Sequence, residues 1–227
     1  MSPTRGRLGG LDRVPALAQL EALQLCEAAL VDRDIAELAA LKAAPRMLCL
    51  DANRFTAFGL RAVLRSALAR RLEWISVDYV ALGDEVAPLL AELSSLRVVS
   101  LAQTNIQGKA LRTMVERLTA IEVLRIDSAR DLRPSDVAGF AALSRLRALG
   151  LGSTGLGDEG VEALCAIASS LPTLRELDLH RCQIESRGAA ALARSAFELE
   201  SLKLYGNCLD QAARDALLEK FGGAVLF

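Results

Sequence analysis

The sequence predicts an α/β solenoid, a right-handed arc of strand–helix units with a parallel sheet on its concave face and helices on its convex face. Three observations predict it. One frame, LxxLxLxxNxL, returns through almost the whole chain, with its first slot at Leu20, Pro45, Leu72, Leu96, Ile121, Leu146, Leu174 and Leu199, in steps of 24 to 28 residues. Its fourth and sixth slots are apolar in every copy, from Leu23 and Leu25 to Leu202 and Leu204, which is the alternation of a strand buried on one side. A helical stretch follows each strand, so each unit has two apolar faces that it covers only by stacking on its neighbours.

Residues 1–19 carry Leu8, Leu11, Val14 and Leu17 at helical spacing and are expected to form an N-terminal cap. Residues 20–210 hold about eight repeats. Their eleventh slot turns inward with Leu30, Phe55, Leu82, Ile106, Leu156, Ile184 and Leu209, while the fifth copy places Asp131 there and Leu132 after it, a one-residue insertion. Asp32, Asp84, Ser135 and Asp158 are expected to cap the helices that follow them. Residues 211–227 predict a capping helix from Gln211 to Lys220, then Gly222, Gly223 and a short ninth strand within Ala224 to Phe227.

Composition narrows the function. The 27 basic and 28 acidic residues nearly cancel, so no global field draws the chain to nucleic acid or to an anionic membrane. No apolar run approaches the ~18 residues of a membrane span, and no apolar signal core follows Arg5 and Arg7. These features predict a cytoplasmic protein, which is expected to be a monomer or part of a larger assembly. The five cysteines, at 26, 49, 165, 182 and 208, form no CxxC pair and are expected to be reduced thiols, with Cys26 and Cys49 facing the concave side.

The frame resembles the leucine-rich repeat family, and specifically its ribonuclease-inhibitor-like branch, over about residues 20 to 210. The likeness is plainest in LRALGLGSTGLGDEGVEAL and LRELDLHRCQIESRGAAAL, where Thr154 and Cys182 fill the asparagine-or-cysteine slot and Gly160 and Gly188 open the helix. Only Asn53 and Asn207 keep asparagine in the ninth slot, which predicts weaker side-chain bonding in the other turns. The resemblance implies a non-catalytic module that binds a protein through its concave face. GTPase-activating proteins in the same family supply the alternative, a regulator of a nucleotide hydrolase using an arginine such as Arg130 or Arg181. A structural spacer is the third reading.

Candidate chemistry is sparse. Gly150, Gly152 and Gly155 spell GxGxxG, with Asp178 further on, but Leu151 and Leu156 occupy repeat slots and the helix begins too late for a dinucleotide turn, so no cofactor is expected. His180 is the single histidine, which excludes a multi-histidine metal site and leaves a Ser-His-Asp arrangement only if Asp178 or Asp127 orients it. The second slot reads Glu21, Arg46, Glu73, Arg97, Glu122, Arg147, Arg175 and Glu200, a ladder of alternating charge broken where Arg147 meets Arg175. On the concave face, Trp74 with Asp78 and Tyr79 forms the expected binding anchor. Arg125 and Asp127 follow on the fifth strand, and Asp178, His180, Arg181, Lys203 and Tyr205 form a polar group on the seventh and eighth. Between them Ala148, Gly150, Gly152 and Ser153 leave a bare strip, which either receives a partner's side chain or loop or accommodates the curvature of the arc.

Overall fold

A computed structural model describes Leu8 and residues 19–227. Strands and helices alternate along the chain: β1 (Ala22–Gln24), α1 (Asp32–Ala39), β2 (Met47–Cys49), α2 (Ala57–Leu64), β3 (Trp74–Ser76), α3 (Val86–Leu90), β4 (Val98–Ser100), α4 (Gly108–Val115) and β5 (Val123–Arg125). The second half continues with α5 (Pro134–Val137), β6 (Ala148–Gly150), α6 (Gly157–Ala166), β7 (Glu176–Asp178), α7 (Ser186–Arg194), β8 (Ser201–Lys203), α8 (Gln211–Phe221) and β9 (Val225–Leu226). The described strands form one sheet in chain order, every neighbour parallel. The cap expected over residues 1–19 lies almost wholly outside the described residues.

Third slot pairs with third slot in each step from β1 to β8, as in Met47 with Trp74 and Val123 with Ala148. This register follows from the period-two pattern, because a slip of one residue would turn every buried fourth-slot side chain to the open face. Leu48, Ile75, Val99, Leu124 and Leu202 are fully buried in a continuous core between sheet and helices. The insertion in the fifth copy is borne out: Asp131 is exposed and Leu132 takes the buried slot.

The aspartates expected to cap their own helices do something else. Asp32 accepts the Thr56 peptide N–H (2.6 Å), Asp84 that of Gln107 (2.8 Å) and Asp158 that of Glu185 (2.8 Å), each in the following repeat. They occupy one slot of the frame and tie unit to unit. Ser135 lies inside α5, whose first turn is closed by Asp136 on the Arg133 N–H (3.0 Å).

The ninth slot behaves as its residue types dictate. The Asn53 side chain receives the Leu30 N–H and donates to the Leu25 and Leu50 carbonyls. Asn207 receives from Cys182 and Ile184 and donates to Leu179 and Leu204. Thr104, Thr154 and Cys182 keep one bond to a leucine carbonyl, whereas Val80 and Ala129 have no polar side chain to offer.

One expectation about the cysteines is overturned. Cys26 and Cys49 are joined in a disulfide, with Cα atoms 6.3 Å apart, while Cys165, Cys182 and Cys208 are free. The seventh slot of one strand lies beside the fifth slot of the next, so residues 23 apart in sequence become neighbours without any CxxC spacing.

Candidate functional site on the concave sheet face

Four rows of side chains run across the strands. The second-slot row is the charge ladder. Arg46 pairs with Glu21 (3.3 Å) and Glu73 (2.7 Å), and Arg97 pairs with Glu122 (2.8 Å). Where Arg147 meets Arg175, the Arg175 guanidinium turns to the Pro172 and Leu174 carbonyls (3.1 and 2.8 Å).

The third-slot row is apolar for six strands, through Ala22, Met47, Trp74, Val98, Val123 and Ala148, before Glu176 ends it. From Met47 to Ala148 each of these side chains is half-buried. The sequence reading singled out Trp74 alone, although the same slot in the same frame carries the whole row. Tyr79 is not its neighbour: it sits past the end of β3, in a turn with φ +60°, and is 60% exposed. That turn is a property of the frame, since Ala52, Gln103, Ser128, Ser153 and Arg181 in the same eighth slot also have positive φ.

The seventh-slot row carries three aspartates, Asp51, Asp78 and Asp127, with Ala102 between the last two. Asp51 accepts from the Ser76 hydroxyl (2.6 Å) and the Asp78 N–H (2.8 Å), and Asp78 accepts from the Ser100 hydroxyl (2.8 Å) and the Ala102 N–H (2.7 Å). Asp127 repeats the second contact, on the Gly152 N–H (2.8 Å), but the fifth slot opposite it is Gly150 and supplies no hydroxyl. Among the described residues no cation pairs with Asp51, Asp78 or Asp127. Burial pushes the Asp78 and Asp127 carboxyls above the ordinary carboxylate value, and neighbouring carboxylates add to the rise: Asp51 and Asp127 act on Asp78, and Asp178 on Asp127.

The expected polar group on β7 and β8 does assemble, around the bare strip of β6. A small open depression of about 50 Å³ lies over Gly150, walled by Arg125, Asp127, Glu176, Asp178 and Lys203. His180 is no plain surface histidine. Its ring stacks on Tyr205 (centroids 4.8 Å apart, 15° between planes) and its Nδ1 lies 2.7 Å from Asp178 Oδ1. The ring covers Gly152 so closely that a Cβ there would overlap it. Lys203 Nζ stands 3.2 Å from Asp178. Burial acts to raise the Asp178 carboxyl, but bonds from His180 and Lys203 outweigh it and hold the group below its ordinary value. Arg181 is exposed at the rim, in the turn after β7.

Two chemical readings of this group can be weighed. Ser153 Oγ lies 3.5 Å from His180 Nε2, which completes the outline of a Ser-His-Asp triad. The peptide N–H of Gly152 is held by Asp127 and that of Ser153 by the His180 carbonyl (2.8 Å), so neither can stabilise an oxyanion over Ser153. Asp127, Asp178 and His180 also bring ligand atoms within 4.8 Å of one another, as do Cys26, Cys49 and Asp51. In the first set Asp178 is already bonded to His180 and Lys203, and Asp127 holds the Gly152 N–H; in the second both sulfurs are in the disulfide.

Known proteins place the chain. A family model described as leucine rich repeat matches residues 144–165 and 170–193. The ribonuclease inhibitor of Mus musculus is 29% identical over 221 residues, covering 88% of this chain and 48% of the relative. That of Sus scrofa is 31% identical over 188 residues, covering 74% of this chain and 41% of the relative. The chain thus spans less than half the length of these curated relatives. Among the described residues no helix is long and apolar enough to cross a membrane.

Proposed function

Because this chain is a leucine-rich repeat protein of the ribonuclease-inhibitor-like kind, we propose that it works as a protein-binding module whose contact surface is the concave sheet face, without catalysis. The observation that carries this reading is the unbroken apolar row from Met47 to Ala148, laid open beside a polar cluster centred on Asp178, His180, Lys203 and Tyr205. A half-buried tryptophan and stacked aromatics next to satisfied charges are the composition of an interface centre. On this reading Trp74 and Asp78 contact the partner at one end, and Arg125, Asp127, Asp178, His180, Lys203 and Tyr205 at the other, with Tyr79 and Arg181 on the rim.

The test is retention of partners by immobilised protein. Val98→Arg puts a charge in the middle of the apolar row, and Glu116→Arg puts one on the convex side at the end of α4. Proteins kept by the wild type and by Glu116→Arg but lost by Val98→Arg support the concave face. Equal retention by all three removes it, and a chain that retains nothing acts as a spacer. The relatives are named for inhibiting ribonucleases, so a purified ribonuclease is the first defined protein to offer.

A further inference from the structure

The concave face is asymmetric across its apolar row, and the asymmetry specifies an occupant. On one side lies the second-slot ladder, where Arg46 pairs with Glu21 and Glu73, Arg97 with Glu122, and Arg71 adds a third cation, paired with Glu21. On the other side lie Asp51, Asp78 and Asp127, which have no cationic partner among the described residues. Between the apolar row and the acidic row the fifth-slot floor is low from β2 to β4, because Cys49, Ser76 and Ser100 are small and buried. The result is a trough with one apolar wall and one acidic wall.

Resting on the concave-face reading above, we propose that this trough seats a single amphipathic α-helix of the partner protein, its apolar stripe on Met47, Trp74, Val98 and Val123 and its Lys/Arg flank over Asp51, Asp78 and Asp127.

Spacing favours a helix over a strand. The row advances one strand spacing per residue, about 4.8 Å, so Met47 to Val123 covers about 14 Å, the length of about 10 helical residues. An apolar helix stripe repeats every 3.5 residues or so, about 5.3 Å, and stays in step with the row over that distance. Same-face side chains of an extended segment repeat at about 6.6 Å and drift out of step by the third contact. The charge pattern fixes polarity across the helix, since a basic residue gains nothing beside the self-paired ladder and an acidic one is repelled by the aspartates. Arg125 rises from the floor at β5 and bounds the trough on the side of the Gly150 depression.

Trp74 is the single tryptophan of the chain and lies on the apolar wall, so its emission reads occupancy directly. The probes are two synthetic peptides of about 14 residues, one an amphipathic Leu/Lys helix and one the same pattern with Glu for Lys, both free of tryptophan. The Leu/Lys peptide is expected to shift Trp74 emission to the blue, saturably. Asp78→Asn with Asp127→Asn keeps the acceptor oxygens that hold Ala102 and Gly152, and is expected to weaken that binding at least about tenfold. Glu219→Gln on α8 is the charge control and is expected to leave it unchanged. Equal shifts with the Leu/Glu peptide, or an unaffected double variant, would overturn the acidic-wall assignment. Silence with both peptides would overturn the helix seat. Neither result touches the concave-face reading, which stands or falls on Val98→Arg.

Discussion

Gly152→Ala isolates the packing of the His180 cluster. Gly152 lies outside the positive-φ residues, so an added Cβ brings no backbone strain; its effect is collision with the His180 ring, with Asp127 Oδ1 a further 2.7 Å neighbour. The ring must leave its place, losing the 2.7 Å bond to Asp178 and the stack on Tyr205. A hydrogen bond to a charged group contributes about 1.5 to 3 kcal/mol and a stacked aromatic pair about 0.5 to 1.5 kcal/mol. Solvation of the released groups returns part of this, leaving a cost of about 2 kcal/mol, or a Tm lower by about 4 to 8 °C. Asp178 adds a pH signature. Its folded carboxyl is held below the ordinary value, so its stabilisation is present above the unfolded pKa and is lost as pH falls through the folded one. The gap between wild type and Gly152→Ala should therefore narrow in acid. Thermal melts of Gly152→Ala, His180→Ala and the double variant close a cycle. If Gly152→Ala cost as much in the His180→Ala background as it does beside the histidine, the steric account would be refuted.

Three further outcomes are expected. Asp78→Asn with Asp127→Asn should raise Tm near neutral pH, because both carboxyls are pushed up in the fold and wild-type stability falls as pH rises through the carboxylate range; melts in acid, where the wild-type groups carry their protons, should bring the two proteins together. Asn53→Ala and Asn207→Ala should each cost about 2 to 3 kcal/mol in urea unfolding, since each strands buried peptide groups of two repeats, against about 1 kcal/mol for Thr104→Val. Thiol titration in denaturant should count three groups before reduction and five after; five at the outset would deny the Cys26–Cys49 bridge.

The frame made the fold legible because its slots are defined by burial, and burial repeats. Strand order, register and the Leu132 insertion all follow from which residues must be apolar. What the frame hid were contacts between units. Asp32, Asp84 and Asp158 carry the residue type of a helix cap, and nothing local tells a carboxylate that closes its own helix from one that reaches the next repeat. Cys26 and Cys49 are equally opaque, since their meeting depends on slots five and seven of adjacent strands. The His180 cluster was named residue by residue, but its stacking on Tyr205 over Gly152 needed side-chain directions. The apolar row is legible down the third slot, where Ala22, Met47, Val98, Val123 and Ala148 share the register of Trp74.

The acidic row connects energetics to use. Its hydrogen bonds to Ala102 and Gly152 require only a carbonyl-type oxygen, which asparagine supplies without charge. The charges of Asp78 and Asp127 themselves oppose folding, being half-buried and pushed toward protonation. Across the apolar row, the second-slot residues alternate in sign and pair. A fold that balances one flank and leaves the other acidic holds an unsatisfied attraction for positive charge, directed along a line beside an apolar wall.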